Sequence, residues 1–121
     1  MQIILVIVTD LFFAVKVSTA AQRAGREVKF AGSAEEAIRL ARELHPVLLV
    51  ADLHCREVDC LEVVRTLRAD PALGSIPALG FVAHVQEEVK RAALAAGFTK
   101  VVARSTFSDK TQELLSGEPG L

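Results

Sequence analysis

A segment of nine positions contains the side chains of this sequence that could carry chemistry, namely Asp52, His54, Cys55 and Cys60. Histidine and cysteine bind zinc, but the order Asp-x-His-Cys has no standard ligand spacing, and a short loop rarely closes a tetrahedral site alone. Cys55 could instead be a reactive thiol, because nearby helix N-termini lower thiol pKa values. The simpler interpretation is an inert, half-buried thiol. Two cysteines this close form no disulfide framework and fit a reducing compartment.

The apolar runs of the chain predict where its acidic residues lie. Residues 47–51 are apolar at every position, which is typical of a strand buried on both faces of a parallel sheet. Asp52 is the first polar residue after this run, so it lies at the carboxyl edge of the sheet, where ligands bind in open α/β folds. Residues 3–8 form a second run, which ends at Thr9 and Asp10. The alternative role for Asp10 is that of a helix N-cap alone.

Apolar periodicity and turn residues predict five strands that alternate with five helices. Strands are predicted at residues 3–8, 27–31, 47–51, 76–83 and 99–103. Helices are predicted at residues 11–24, from Ser33 to the His45-Pro46 pair, from Asp59 to the Asp70-Pro71 loop, at residues 85–96, and from Thr106 or Ser108 to about residue 116. Repeated strand–helix units imply a parallel sheet with right-handed crossovers.

Polar residues near the predicted helices have local structural roles. Ser33 is a predicted N-cap, and Glu36 three residues later can complete a capping box. Asp59 is the corresponding predicted N-cap of the third helix. Arg65 and Arg68 lie opposite the apolar stripe of that helix, so we expect both side chains to face water.

Composition limits the domain count and the class of partner. The chain is long enough for a single domain, predicted at residues 1–116, with a frayed tail at 117–121. A formal net charge of −1 and the lack of Trp and Tyr argue against nucleic-acid binding. The apolar stretch near the N-terminus is shorter than the roughly 20 residues of a membrane span and lacks the basic region of a signal peptide. We therefore expect a cytoplasmic protein that binds neither nucleic acid nor membrane.

The order of elements and the residues at the strand ends resemble the receiver domain of two-component response regulators, of the chemotaxis-regulator type, over nearly the whole chain. The family motif Asp-Leu-x-Met-Pro-x-x-Asp-Gly corresponds to Asp-Leu-His-Cys-Arg-Glu-Val-Asp-Cys at residues 52–60, which keeps both acids and the leucine. The Ile76-Pro77 pair and Gly97 are also similar to the family. The resemblance implies an α/β flavodoxin-like (βα)5 three-layer sandwich, with a parallel five-stranded sheet in the order 2-1-3-4-5.

The resemblance also implies roles for individual residues. Asp52 corresponds to the phosphoacceptor, and Thr9 and Asp10 take the place of the family's acidic pair. The family's Thr or Ser, its Lys and its switch aromatic are replaced by Val82, Arg104 and Val101, respectively. The simplest interpretation of the two valines is that they belong to the core, and Arg104 could equally be a solvated side chain whose stem covers the sheet edge.

The implied cofactor is a weakly held Mg²⁺ ion, and no other cofactor is expected. Its ligands would be the carboxylates of Asp10 and Asp52 and the backbone carbonyl of His54, since Mg²⁺ prefers hard oxygen ligands. Thr9 cannot supply the charge of a second acid, which weakens this site. Arg104 keeps a positive charge near Asp52, so we hypothesise that the two side chains pair in the unmodified protein and that this pair replaces the metal ion.

These residues predict a non-enzymatic signalling module: an atypical receiver, or pseudo-receiver, that acts by protein–protein contact with weakened or absent phosphorylation. The expected partner is a histidine kinase or another signalling protein, and a homodimer is left open. The apolar first helix is a candidate contact face, and the alternative is that Phe12 and Phe13 simply pack on the sheet. The first alternative is a stand-alone response regulator of the phosphorelay type, phosphorylated on Asp52 by a histidine kinase.

The second alternative belongs to another class, a small α/β domain that binds a cofactor such as flavin or cobalamin. The Asp-Leu-His sequence that begins at Asp52 also occurs in cobalamin-binding domains, but Glu57 stands where that pattern needs glycine. The sequence contains no glycine-rich phosphate loop either. The cofactor alternative therefore rests on fold class alone.

Overall fold

The computed structural model describes residues 2–8, 10–109 and 115. In this part of the chain, five strands alternate with five helices: β1 (Ile3–Ile7), α1 (Leu11–Arg23), β2 (Glu27–Phe30), α2 (Ala34–Leu44), β3 (Leu48–Asp52), α3 (Cys60–Ala69), β4 (Ala78–Val82), α4 (Glu87–Ala96), β5 (Lys100–Ala103) and α5 (Arg104–Asp109). The strands are parallel, and their order is β2-β1-β3-β4-β5. The predicted flavodoxin-like topology is confirmed. None of the described helices is long and apolar enough to cross a bilayer.

Side-chain caps explain where three helices begin. The Asp10 carboxylate accepts the Phe12 amide at 2.8 Å at the start of α1. Ser33 Oγ accepts the Glu36 amide at 3.0 Å at the start of α2, and Glu36 Oε1 accepts the Gly32 amide at 2.7 Å. The Asp59 carboxylate accepts the Glu62 amide at 3.1 Å at the start of α3. These bonds satisfy amides that have no partner within the helix, and the predicted caps at Ser33 and Asp59 are confirmed.

Three elements begin at least two residues away from the predicted start, and the other described boundaries agree to within about one residue. β4 begins at Ala78 and not at residue 76, because the Ile76 amide bonds the Leu73 carbonyl in a turn and Pro77 has no amide hydrogen. α4 begins at Glu87, two residues later than predicted. α5 begins at Arg104, directly after β5 and without a loop, so the predicted start at Thr106 or Ser108 is wrong. The predicted end of this helix and the predicted tail at 117–121 lie outside the described residues.

The sheet separates two apolar cores. On one face, α1 and α5 cover the side chains of Ile4, Val6, Val50, Leu79 and Phe81. On the other face, α2, α3 and α4 cover Leu5, Ile7, Leu49, Ala51 and Val82. All five residues of β3 are buried, as its apolar run predicts. Leu115 is buried on the α1 side, and its carbonyl accepts a hydrogen bond from Arg26.

Arg68 does not face water, and that prediction is wrong. Its Nε donates to the Gly97 carbonyl at 2.9 Å, and its Nη1 donates to the Gly74 carbonyl at 3.0 Å. Gly97 has φ +118°, and a Cβ on it would lie 2.6 Å from Arg68 Cγ. The glycine therefore leaves the space that the arginine stem fills. Burial of the guanidinium lowers the pKa of Arg68.

Candidate functional site

Strand pairing brings both predicted acids to one edge of the sheet. β1 and β3 are parallel neighbours, and Ile7 pairs with Ala51. Asp52 is the last residue of β3, and Asp10 lies between β1 and the first residue of α1. This edge is the carboxyl end of the sheet, at the point where the strand order reverses, which is the usual ligand position in doubly wound folds. Thr9 lies outside the described residues.

Asp52 is a buried carboxylate whose two oxygens both have partners. It is 4% exposed and is the one polar residue among the fully buried part of the described chain. One oxygen accepts the His54 amide at 2.9 Å, and the other accepts Arg104 Nη2 at 3.3 Å. Because Leu48 and Val50 face the α1 side of the sheet, strand alternation directs Asp52 to the same side. A buried carboxylate needs such partners to offset the loss of water.

Arg104 lies over an aromatic surface as well as beside Asp52. Its Cζ is 4.6 Å from the centroid of the Phe13 ring and 5.8 Å from that of Phe81. A guanidinium over a ring face is attracted by the ring quadrupole. The Arg104 Nε is buried and has no hydrogen-bond partner among the described residues. The hypothesised ion pair between Arg104 and Asp52 is thus present, with one donor of the arginine left unsatisfied.

Three phenylalanines form the floor under this ion pair. The rings of Phe81 and Phe107 are stacked with centroids 4.8 Å apart and planes 8° apart. Phe13 lies 5.5 Å from Phe81 at 23°. The sequence does not predict that Phe81 and Phe107 belong to the site, because nothing local in the chain relates β4 to α5. Stacked aromatic pairs add stability beyond their buried area, so the stacking helps to hold the floor together.

Asp10 is the N-cap of α1, which is the local role that the sequence left open. One carboxylate oxygen accepts the Phe12 amide at 2.8 Å. The side chain is partly exposed. Its negative charge also lies at the positive end of the helix dipole, where carboxylates are favourable. Capping occupies one oxygen of the carboxylate, so the acid keeps some capacity to bind a ligand.

Val82 and Val101 are core residues. They are 1% and 8% exposed and belong to the core cluster on the α2–α4 side of the sheet. Val82 ends β4, and its side chain faces away from the side on which Asp52 meets Arg104. Neither side chain has a hydrogen-bond donor. The two positions therefore have no polar contact to offer a ligand bound at Asp52.

The two cysteines next to Asp52 are free thiols whose pKa values are raised. Burial raises the pKa of Cys60 to about 12, and its Sγ donates to the backbone carbonyl of Asp52 at 3.5 Å. Burial also raises the pKa of Cys55, whose Sγ lies 3.6 Å from Glu57 Oε2. This direction does not favour the alternative of an activated Cys55 thiol. His54 is exposed.

The donor set does not fit a tightly held metal ion. Within residues 2–8, 10–109 and 115, no group of three or more His, Cys, Asp or Glu side chains is placed to hold one. Both oxygens of Asp52 already accept hydrogen bonds, and one of them accepts from a cation. A divalent ion would have to displace Arg104 or lie beside its positive charge. The soft-metal alternative for His54, Cys55 and Cys60 likewise has no ligand cluster to support it in this part of the chain.

Comparison with proteins of known family gives one clear relationship. No family model matches the chain. The chain is 30% identical over 98 residues to the polar-differentiation response regulator DivK of Brucella ovis, and the match covers 78% of this chain and 80% of DivK. An uncharacterized 14.6 kDa protein of Leptolyngbya boryana is 34% identical over 80 residues, which cover 66% of this chain and 61% of that relative.

Solved structures of response regulators share the fold. The chemotaxis protein CheY4 of Vibrio cholerae gives a TM-score of 0.84 at 22% identity, over 95% of this chain and 96% of CheY4. The Mn²⁺-bound form of response regulator Rcp1 gives a TM-score of 0.77 at 17% identity, over 97% of this chain and 91% of Rcp1. These identities support the fold, and the match to DivK supports the family. The chain belongs to the response regulator family and has the fold of its receiver domain.

Proposed function

We propose that this receiver domain signals by protein–protein contact, with weakened or absent phosphorylation of Asp52. The observation that carries the proposal is the ion pair between Arg104 Nη2 and Asp52 Oδ2 at 3.3 Å. In receivers that accept a phosphoryl group, a divalent ion balances the charge at the acceptor. Here a side chain already supplies a positive charge, so the unmodified state is stabilised without a metal ion.

The second support is the absence of a donor where the phosphoryl group would need one. Phosphoryl transfer depends on groups already placed to stabilise the developing charge. Val82 occupies the family's hydroxyl position and is buried on the opposite face of the sheet. Arg104 is a broad planar cation in place of a compact ammonium. Val101 occupies the switch position, so no aromatic ring is available there to change between two orientations.

The remaining parts of the proposal concern class, partners and location. We assign the domain no enzymatic activity, a histidine kinase or another signalling protein as its partner, and a cytoplasmic location, without contacts to nucleic acid or membrane. Mg²⁺ binding is weak under this proposal, with Asp10, Asp52 and the His54 carbonyl as its ligands when Arg104 moves aside. Membership of the response regulator family argues against the small-cofactor alternative.

The direct test is a phosphorylation assay on the purified chain. Wild-type protein is incubated with acetyl phosphate and Mg²⁺, or with beryllofluoride, and is examined by intact mass and by amide chemical shifts. We expect little or no modification and no shift changes around Val82. Asp52→Asn is the control that cannot be modified. Full modification of Asp52 with large shifts at Val82 would instead favour the stand-alone regulator phosphorylated by a histidine kinase.

A gain-of-function variant sharpens this test. We expect the combination Thr9→Asp and Arg104→Lys to increase phosphorylation of Asp52 at least tenfold, because it returns the acid and the compact cation of the family. A matched control carries Arg91→Lys in place of Arg104→Lys, since Arg91 is exposed on α4.

A metal titration provides a separate check on the role of Arg104. Mg²⁺ binding at millimolar or tighter affinity that is lost on Asp10→Asn would contradict the role given to Arg104.

A further inference from the structure

One end of the molecule exposes an apolar patch that the proposed function does not use. We define the α1–β2 patch as Leu11, Phe12, Val15 and Phe30, which are 82%, 74%, 67% and 42% exposed. Leu11, Val15 and Phe30 line one shallow groove between α1 and β2. Contiguous exposed apolar surface on a monomer usually marks an interaction site. The prediction that Phe12 and Phe13 simply pack on the sheet holds for Phe13 alone.

The strand beside this patch has an unpaired outer edge. β2 ends the sheet, and no described strand lies beyond it. The Glu27 amide donates to the Gln2 carbonyl at 2.9 Å, and the Ala31 amide donates to the Val6 carbonyl at 3.0 Å. Because strand residues alternate, the backbone groups of Val28 and Phe30 point away from the sheet. An open edge of this kind is a template for another strand.

We propose that a second copy of this chain pairs with the outer edge of β2, antiparallel, about a twofold axis that passes between the two Val28 residues. The two five-stranded sheets then form one continuous sheet. The pairing is isologous, so it closes at a dimer and leaves no further β2 edge open. This inference concerns self-association and is independent of the state of Asp52.

The charges of β2 select this register. Outward-pointing residues must face each other, so the axis passes through Val28, Lys29 or Phe30. Centred on Val28, each Glu27 lies opposite the second copy's Lys29, in the pair without backbone hydrogen bonds, where side chains are closest. Centred on Lys29, the two lysines would repel each other, and centred on Phe30, each Lys29 would face the uncharged Ala31 of the second copy. Glu27 and Lys29 already share one face of β2, with Lys29 Nζ 3.3 Å from Glu27 Oε1.

The same axis places both apolar patches on one face of the joined sheet. A twofold axis perpendicular to the sheet keeps α1 on the same face in both copies, on either side of the new junction. Val28 packs against the α1-side core, so strand alternation places Phe30 on that face too. Each Phe30 would lie opposite the second copy's Arg26, so the α1 helix of one copy would cover the open side of the other copy's groove, once at each end of the junction.

The backbone ladder alone is short, which explains why the patch is needed. The two Val28 residues exchange two hydrogen bonds, and each Phe30 amide can reach the second copy's Arg26 carbonyl. The Arg26 amide cannot reciprocate, because it bonds the Ala21 carbonyl at 2.8 Å. Small interfaces of this kind belong to the weak, transient class. We therefore expect a dimer with a dissociation constant in the micromolar range, on the order of 1 to 100 µM.

Sedimentation velocity on the full chain, over a concentration series that spans this range, tests the proposal. We expect a reversible monomer–dimer equilibrium. Lys29→Glu should weaken it at least tenfold, and the charge swap Glu27→Lys with Lys29→Glu should return it to within about threefold of wild type, because opposite charges again face each other. Lys100→Glu is the matched control, since Lys100 is an exposed residue of β5 at the other end of the sheet.

A backbone variant and a patch variant complete the test. Val28→Pro removes only an outward-pointing amide, so it should abolish the dimer and keep the circular dichroism of the fold. Val15→Glu should weaken the dimer at least tenfold through the patch. A sample that is monomeric throughout the concentration series overturns the proposal, and so does a dimer that Lys29→Glu leaves unchanged. Failure of the charge swap to rescue Lys29→Glu overturns the register.

Discussion

Two half-buried arginines lie at opposite ends of the sheet and are held in different ways. Arg68, near the amino ends of β4 and β5, donates to two backbone carbonyls at 2.9 and 3.0 Å. Arg104, at the carboxyl end of β5, donates to one carboxylate at 3.3 Å and keeps a buried Nε without a partner among the described residues. Arg68 therefore bonds backbone groups of the fold, whereas Arg104 keeps a donor that could bind another group.

The chemistry of the partners explains the difference. The Gly74 and Gly97 carbonyls cannot leave Arg68 unless two loops open, so that arginine is part of the structure. The partner of Arg104 is a titratable carboxylate that could bind a cation or accept a phosphoryl group in its place. Buried donors without partners are unfavourable, and they persist where function requires them. The comparison therefore separates an arginine held by backbone carbonyls from one held by a carboxylate side chain.

Removal of Arg68 should have the largest effect on stability. We expect Arg68→Ala to lower the free energy of unfolding by about 2–4 kcal/mol, because two buried carbonyls lose their donors and the stem leaves a cavity against Gly97. Urea unfolding followed by circular dichroism measures this loss. Arg65→Ala on the exposed side of the same helix is the control and should change stability by less than about 0.5 kcal/mol. A loss below about 1 kcal/mol for Arg68→Ala would remove the distinction between the two arginines.

The ion pair at Asp52 should have a smaller, measurable coupling energy. In a double-mutant cycle with Arg104→Ala and Asp52→Asn, we expect a coupling of about 1–2 kcal/mol, because Asp52 is buried. We expect a coupling energy below that of a fully buried ion pair, because the Arg104 side chain is 36% exposed. The exposed pair Arg39 and Glu43, one helical turn apart on α2, is the matched control with an expected coupling of about 0.3–0.5 kcal/mol. Equal couplings for the two pairs would show that Asp52 gains nothing from burial.

The smallest effect should be the alkaline pH dependence at the Asp52 end of the sheet. The Cys60 thiol keeps its proton up to about pH 12 in the folded state, against an ordinary pKa of 9.0. Above pH 9 the unfolded chain loses this proton and the folded chain retains it, so the free energy of unfolding falls as pH rises through this window. We expect a loss of about 1 kcal/mol between pH 8 and pH 10.

Substitution of each cysteine separates the contribution of Cys60 to this alkaline loss of stability from that of Cys55. Cys60→Ala should remove most of this alkaline slope, whereas Cys55→Ala should retain it, since the Cys55 thiol is less deeply buried. Urea midpoints measured at several pH values between 7 and 10.5 provide the comparison, at a roughly constant ionic strength. If the slope persists in Cys60→Ala, another titrating group produces it.

The sequence predicted features that depend on neighbouring residues. The apolar run before Asp52 predicted a buried strand and a carboxylate at its end, because a strand buried on both faces tolerates no polar residue. Ser33 and Asp59 were predicted as caps from three-residue spacing. The pairing of Arg104 with Asp52 was hypothesised from the family resemblance, because Arg104 keeps the positive charge of the family's lysine.

Features that depend on contacts between distant residues were not predicted from the sequence. The helical position of Arg68 predicted a side chain that faces water. Its hydrogen-bond acceptor, the Gly97 carbonyl, lies 29 residues further along the chain. α5 begins at Arg104, directly after β5, and no residue near this position predicts a helix start there. The aromatic floor joins α1, β4 and α5 through Phe13, Phe81 and Phe107, which only the packed sheet brings together.

The position of Arg104 over the Phe13 ring has a spectroscopic consequence. Protons held above an aromatic face experience its ring current, and the Arg104 Cζ lies 4.6 Å from that ring centre. The chain has six phenylalanines and neither Tyr nor Trp, so few other rings contribute. The guanidinium resonances of this single arginine should consequently move whenever Asp52 releases it. The protein therefore carries an intrinsic magnetic reporter of the state of Asp52.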